Sequence, residues 1–285
     1  MIGEQLAKRR IGLVLDGRYE LRSLLGVGMT GAVYEALHRY TQRSVALKVM
    51  HQQLIGDDTA VARFLREAKA VSSIGHPAIV DVMDAGRTQD RLPYVVLELL
   101  RGRSMGALLR ERPMSYTETL AAGRDLLDGL AAAHAAGIVH RDLKPDNLFL
   151  LDEPIQGIKL KILDFGVAKN LESTGASGII TRPGATIGTP SYMSPEQARA
   201  QPIDHRTDLW SAGALLFHAA AHRPPYTDTS IPALLLKLVT KTPPRLNEVN
   251  PDVPASLARA VDGALLPNRE DRWGSAADMA AALTG

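Results

Sequence analysis

The sequence predicts an α+β protein in two lobes, a small antiparallel-β lobe with one main helix followed by a larger, mainly α-helical lobe. Three observations predict it. The chain has 285 residues, long for one hydrophobic core and comfortable for two. From about residue 12 to residue 100, short runs rich in Val, Leu and Tyr alternate with Gly or polar breaks, as strands do. After Leu100 the apolar spacing changes to that of helices. The first lobe is therefore expected over about 12–99, a connection near 98–102 and the second lobe over about 103–283, with 1–11 as an N-terminal extension.

In chain order, RYELRSLL, AVYEALHRY, SVALKVM and PYVVLELL are the expected strands of the first lobe. One helix interrupts them over about Thr59–Ile74: Val61, Phe64, Leu65, Ala68 and Val71 follow helical spacing, Asp57 or Asp58 caps the start, and His76-Pro77 closes the end. In the second lobe TETLAAGRDLLDGLAAAHAAG reads as a strong helix stopped by Gly137. IVHRDLKPDN and LKILDFG read as short strand-and-loop pieces. Residues 173–186, rich in Ser, Thr, Gly and Ala, read as a mobile loop, and from Gln197 onward the reading is mostly helix.

Composition narrows the function. Apolar residues make up 45% and charged residues 22% of the chain, an ordinary globular balance. The formal net charge of +2 gives no reason to expect nucleic acid as a partner. The absence of cysteine excludes disulfides and thiolate metal sites and suits a cytoplasmic protein. No signal peptide is read at the N-terminus. The most apolar run, Leu209–Ala221, is shorter than the ~20 residues a bilayer requires and is expected to be a buried core helix, so no membrane segment is expected.

The chemistry is concentrated in residues 138–150, IVHRDLKPDNLFL, where His140, Arg141, Asp142, Lys144, Asp146 and Asn147 sit between apolar flanks and Pro145 forbids a regular helix. Phosphoryl transfer needs mainly positioning and charge neutralisation. One carboxylate must take the proton of an acceptor hydroxyl, an amide oxygen can hold a metal ion, and a cation can meet the γ-phosphate; Asp142, Asn147 and Lys144 supply these. Asp164, after KLKIL, adds a second carboxylate for Mg²⁺, an ion satisfied by few protein oxygens. GVGMTGAV, residues 26–33, places Gly26, Val27, Gly28 and Gly31 in a turn whose backbone N–H groups can approach phosphates. Glycine spacing alone is weak; here a strand follows it, not the helix of a dinucleotide-binding fold. Lys48 ends VALK on the next strand, and Glu67 borders the apolar face of the first-lobe helix, so the two can form a positioning ion pair.

With GVGMTGAV, VALK, Glu67, HRDLKPDN, DFG and SPE in this order, the chain resembles the eukaryotic-like (Hanks-type) Ser/Thr protein kinases from about Arg18 to Ala281, most like bacterial members. DLWSAG resembles the anchoring start of their central helix, and Arg272 the arginine that pairs with the SPE glutamate, here Glu196. The resemblance implies a two-lobed protein-kinase-like fold, ATP with Mg²⁺ or Mn²⁺, and Ser/Thr hydroxyls of proteins as acceptors. By position it implies Asp142 as catalytic base, Lys144 at the γ-phosphate, Asn147 and Asp164 at the metal, and Lys48 with Glu67 as the ion pair. It further implies Leu97 as gatekeeper, Glu98 and Leu100 as hinge groups, Val33, Ala46 and Phe149 around adenine, and Thr189 beside Asp142. Arg141 and Lys169 would form a pocket for a phosphorylated loop residue, with Thr181 first and Thr186 and Thr174 next; Ser173 and Ser177 are further hydroxyls there. A homodimer that autophosphorylates in trans is the partner arrangement such relatives suggest. The loop tip Met29-Thr30 departs from the family's glycine or aromatic tip, Ser194 stands where alanine is usual, and Leu47 is a mild change; none removes a chemical group. The rival from another class is a pseudokinase that binds nucleotide or scaffolds without transfer, and a small-molecule kinase is a third reading.

Overall fold

The computed structural model describes residues 2–88, 90–165 and 190–284, and these divide into two compact units. The first comprises Met1–Gly75 with Val80–Arg101, and the second His76–Ile79 with Gly102–Gly285.

The first unit is an antiparallel six-stranded sheet in the order β1-β2-β3-β4-β6-β5. Its strands are β1 (Val14–Leu15), β2 (Tyr19–Val27), β3 (Gly31–His38), β4 (Ser44–Met50), β5 (Val82–Arg87) and β6 (Pro93–Glu98). Successive strand residues face opposite ways, and this decides the packing. Tyr34, Ala36, Val45, Leu47, Val49, Tyr94 and Val96 enclose one core. The alternate residues Met50 and Val95 belong to a second cluster with Val61, Phe64 and Ala68, which come from helix α2 (Asp58–Ser72). Asp57 caps α2 by accepting from the Thr59 and Ala60 N–H groups. The expected span of 59–74 is thus shifted by one residue at the start and ends two residues early.

The N-terminal residues hold helix α1 (Ile2–Lys8). Ala7 is buried in the first core, and the Tyr34 hydroxyl donates to its carbonyl at 3.0 Å. Strands β1 and β5 carry no run of β-branched residues and were not among the expected strands; ladder pairing with β2 and β6 makes them.

The second unit contains a three-stranded sheet, β7 (Gly102–Ser104), β8 (Leu148–Ile155) and β9 (Ile158–Ile162), and the helices α3 (Met105–Glu111), α4 (Tyr116–Ala135), α5 (Pro195–Ala198), α6 (Arg206–Ala221), α7 (Ile231–Thr240), α8 (Leu246–Val249), α9 (Ala255–Ala264) and α10 (Ala276–Thr284). Gly137, at φ +73°, follows the end of α4 as expected. Glycine inside a helix costs about 1 kcal/mol relative to alanine, yet α4 carries two that bring it close to its neighbours. A Cβ on Gly129 would come 2.8 Å from Ile162, and one on Gly123 3.1 Å from Leu216 of α6. Helix α6 is buried almost throughout, with Leu209, Leu215, Leu216 and Phe217 at 0% exposure, as expected of the Leu209–Ala221 run. IVH, expected as a strand piece, is loop outside any strand: the Ile138 N–H turns back to the Ala133 carbonyl of α4 at 2.9 Å, and the His140 N–H goes to the Asp208 carboxylate of α6 at 2.7 Å. The expected mobile loop at 173–186 lies outside the described residues. Among the described residues no helix is long and apolar enough to cross a membrane.

Candidate active site

In the first unit the sheet's alternation puts the expected nucleotide residues on one face. Val33 pairs with Gly26 and Lys48, Ala46 with Glu35 and Leu97, and Lys48 with Val95. Tyr34, Leu47 and Val96 point into the first core, so Val33, Ala46, Lys48 and Leu97 share the opposite face with Met50 and Val95, on which α2 packs. Glu67 is half-buried on α2, one turn from the buried Phe64 and Val71. Lys48 and Glu67 therefore come from the two elements that face each other across this cluster. Glu98 donates its N–H to the Asp81 carbonyl at 3.1 Å, and its carboxylate accepts the Asp81 N–H at 2.8 Å, which pins the strand end that leads to the half-buried Leu100.

The glycine loop joins β2 to β3. Val27 pairs with Ala32, and the Gly28 N–H donates to the Gly31 carbonyl at 2.8 Å. Its glycines answer to different demands. A Cβ on Gly31 would lie 2.3 Å from the Val49 carbonyl oxygen, so the strand approach itself requires glycine there. At Gly26 a Cβ would meet nothing within 4 Å, and at Gly28 only the Gly31 carbonyl at 3.7 Å. The chain's own packing does not need those two glycines. Without side chains there, phosphate oxygens could approach the bare backbone.

In the second unit Asp142, Lys144 and Asn147 lie in one loop between α4 and β8 that includes a single 3-10 turn, Pro145–Asn147. The Asp142 carboxylate stands 3.2 Å from the Lys144 ammonium. Asn147, 7% exposed, donates its amide to the Asp142 carbonyl at 2.8 Å, which turns its amide oxygen, a hard donor suited to Mg²⁺, the other way. Asp164 is exposed just past β9, at a left-handed φ of +47°. Phe149 lies on β8, paired with Ser104 and Lys161.

Buried groups hold this loop from behind. Asp208, at the start of α6 and 0% exposed, accepts the N–H groups of His140 at 2.7 Å and Arg141 at 2.8 Å and the His134 ring at 2.8 Å. Arg141 has a left-handed φ of +66°, uncommon for a residue with a Cβ. It is held there from both sides, because Gln197 of α5 donates to its carbonyl at 2.8 Å. The His140 ring is fully buried, and burial pushes its pKa below the ordinary value. Its Nε2 meets the Leu163 carbonyl at 2.9 Å and its Nδ1 accepts the Asp142 N–H at 3.2 Å. The bonds thus assign a neutral ring protonated at Nε2, tying Asp142 to the residue before Asp164. Phe165 packs on this ring with centroids 4.6 Å apart.

Arg141 also carries an imbalance. Among the described residues its Nε and one terminal nitrogen are buried without a hydrogen-bond partner, and burial pushes its pKa down against the pull of Asp208. Lys169, Ser173, Thr174, Ser177, Thr181, Thr186 and Thr189 lie outside the described residues. Beyond them, Glu196 and Arg272 form the expected pair, doubly hydrogen-bonded at 2.7 and 2.8 Å and buried. Burial raises the Glu196 carboxyl's pKa, but the bonds and charge of Arg272 outweigh it and leave the value lowered. The Arg272 guanidinium also lies over the Trp210 ring at 4.9 Å.

Three supporting residues were not singled out from sequence. His51 in the first unit, and His134 and Gln197 in the second, act on groups 23, 74 and 56 positions away. No local spacing marks such partners.

A sheet with a glycine-rich turn and a lysine strand in one unit, and this charged loop in the other, are elements of the protein kinase fold. The chain belongs to the protein kinase domain family, whose match covers residues 19–281. It is similar to the serine/threonine-protein kinase pkn3 of Myxococcus xanthus, at 35% identity over 276 residues, 96% of this chain and 50% of that protein. It is also similar to the serine/threonine-protein kinase PknL of Mycobacterium tuberculosis, at 36% identity over 271 residues, 95% of this chain and 66% of the relative. Among solved structures, the M. tuberculosis PknI kinase domain (a C20A_R136A double mutant) matches with a TM-score of 0.74 and 25% identity, over 96% of this chain and 97% of that one. The chain spans about half the length of the first of these curated relatives and about two thirds of the second.

Proposed function

We propose that the chain is an active Ser/Thr protein kinase domain that transfers the γ-phosphate of ATP to hydroxyls of protein substrates. The observation that carries this reading is the 142–147 loop, where a carboxylate stands 3.2 Å from an ammonium beside a buried amide, directly after two residues whose N–H groups Asp208 accepts. Asp142 orients the acceptor hydroxyl and takes its proton. Lys144 neutralises charge as it develops on the transferred group. Asn147 and Asp164 would hold the metal ion, Mg²⁺ or Mn²⁺, and Lys48, set by Glu67, would hold the α- and β-phosphates. On the first unit, Leu97, Glu98 and Leu100 with Val33 and Ala46 would bound the adenine. ATP supplies the phosphoryl group, and the bound cation screens the phosphate charges.

Two Arg141 nitrogens with no partner among the described residues support a switch: an anion would satisfy them. A phosphate on Thr181, or next on Thr186 or Thr174, has the charge and acceptors to do so, and Lys169 would add a cation. Autophosphorylation in trans within a homodimer would place it there, and the cysteine-free composition suits the cytoplasm.

The test is incubation of the purified chain with Mg²⁺ and ATP beside Asp142→Asn, followed by mass spectrometry. Phosphates between Asp164 and Glu196 in the wild type alone are expected. If neither chain carries phosphate, nor phosphorylates a generic peptide while still binding ATP, the pseudokinase reading replaces this one.

A further inference from the structure

The tip of the glycine loop is held by a side chain for which the nucleotide reading has no role. His51 follows β4 directly, and two bonds run from it to the loop. Its backbone N–H donates to the Thr30 carbonyl at 2.9 Å, and its ring Nε2 lies 2.8 Å from the Gly28 carbonyl. A carbonyl only accepts, so Nε2 carries the hydrogen. The loop's closing bond uses the Gly28 N–H and the Gly31 carbonyl, so the Gly28 carbonyl is oriented by the imidazole.

The consequence lies on the other side of the same peptide. In a trans peptide the carbonyl and the following N–H point in opposite directions, and none of the described peptides is cis. Holding the Gly28 carbonyl therefore aims the Met29 N–H away from His51. Apolar packing does not do this work, since Met29 is 74% exposed. Glycines at 26 and 28 leave the preceding backbone free to turn. We propose that His51 is a positioning residue for ATP, fixing the 28–29 peptide so that the Met29 N–H is presented to a phosphate oxygen. The inference rests on the nucleotide-binding reading of this loop.

Calorimetry of the purified full chain tests it, with the β,γ-imido analogue of ATP plus Mg²⁺ and, separately, adenosine, which has no phosphate. His51→Leu is expected to weaken the triphosphate about five- to tenfold, the size of one oriented hydrogen bond, and to leave adenosine unchanged. His51→Gln, whose amide can donate to the same carbonyl, is expected to recover most of the loss. In peptide phosphorylation the leucine variant raises KM for ATP and leaves KM for the peptide unchanged. Undiminished triphosphate affinity in His51→Leu, equal weakening of both ligands, a lowered melting temperature with loss of both, or a glutamine variant as weak as the leucine one would each overturn the proposal. Failure of the wild type to bind either ligand would instead overturn the nucleotide reading, and this inference with it.

Discussion

Asp142 is held on both sides of its backbone. The His140 ring takes its N–H and Asn147 its carbonyl, while its carboxylate, 31% exposed, stands 3.2 Å from the Lys144 ammonium. A half-exposed pair of this kind contributes little to stability, about 0–1 kcal/mol. Asp142→Asn keeps the shape and removes the base. The proposed role then predicts a rate of peptide phosphorylation lower by ~10²–10⁴ with an unchanged melting temperature. Full activity in the variant would remove Asp142 from that role. At this scale the chemical groups were legible, because HRDLKPDN carries them in eight consecutive residues. What orients them was not. The His140 tautomer, the Gln197 bond to the Arg141 carbonyl and the His51 bond to Gly28 depend on side chains that meet only after folding.

Elements that announce their own ends were read closely, and those defined by their neighbours were not. Asp57 caps α2, and Gly137 turns the chain after α4. Strand β5 needs β6, and α1 needs the sheet beneath it. Helix α4 adds a feature with a pH signature. Ser115 and Glu118 form a capping box, and Arg112 grips the Glu118 carboxylate at 2.6 and 2.9 Å. That hydrogen bond, with the Ser115 bonds and the Arg112 charge and against partial burial, lowers the Glu118 pKa to about 2. The unfolded chain protonates this group near the ordinary 4.5. Between those values the unfolded state binds more protons than the folded one, so the contribution is present above pH 4.5 and is lost as pH falls toward 2. The carboxylate is 39% exposed, so solvent screens the effect. Glu118→Gln is expected to be less stable than the wild type at pH 6, with the gap in urea midpoint narrowing between pH ~4.5 and ~2. A gap that stays constant over that range would show that the Arg112 pairing contributes nothing.

Across the chain, the groups assigned to one transfer are divided between the two units. The first holds the glycine loop, Lys48 and Glu67, and the second holds Asp142, Lys144, Asn147 and Asp164. The division was legible because the apolar period changes from two to 3.6 near residue 100, and because glycine spacing and HRDLKPDN fall on opposite sides of it. The short visit of His76–Ile79 to the second unit was not legible. It depends on the Ala78 carbonyl accepting the Ile162 N–H at 2.8 Å, a pairing between segments more than eighty residues apart. If one chain is one catalyst, both sets must be intact in the same molecule. Lys48→Met keeps the second set and Asp142→Asn keeps the first. An equal mixture of the two variants is therefore expected to phosphorylate a peptide no faster than the sum of their separate rates. Each is still expected to receive phosphate in its 166–189 segment when the wild type is added, because an acceptor needs only its hydroxyl. A mixture that recovers a large share of the wild-type rate would mean that units from two chains complete one site. Lys48 and Asp142 would then act across molecules rather than within one.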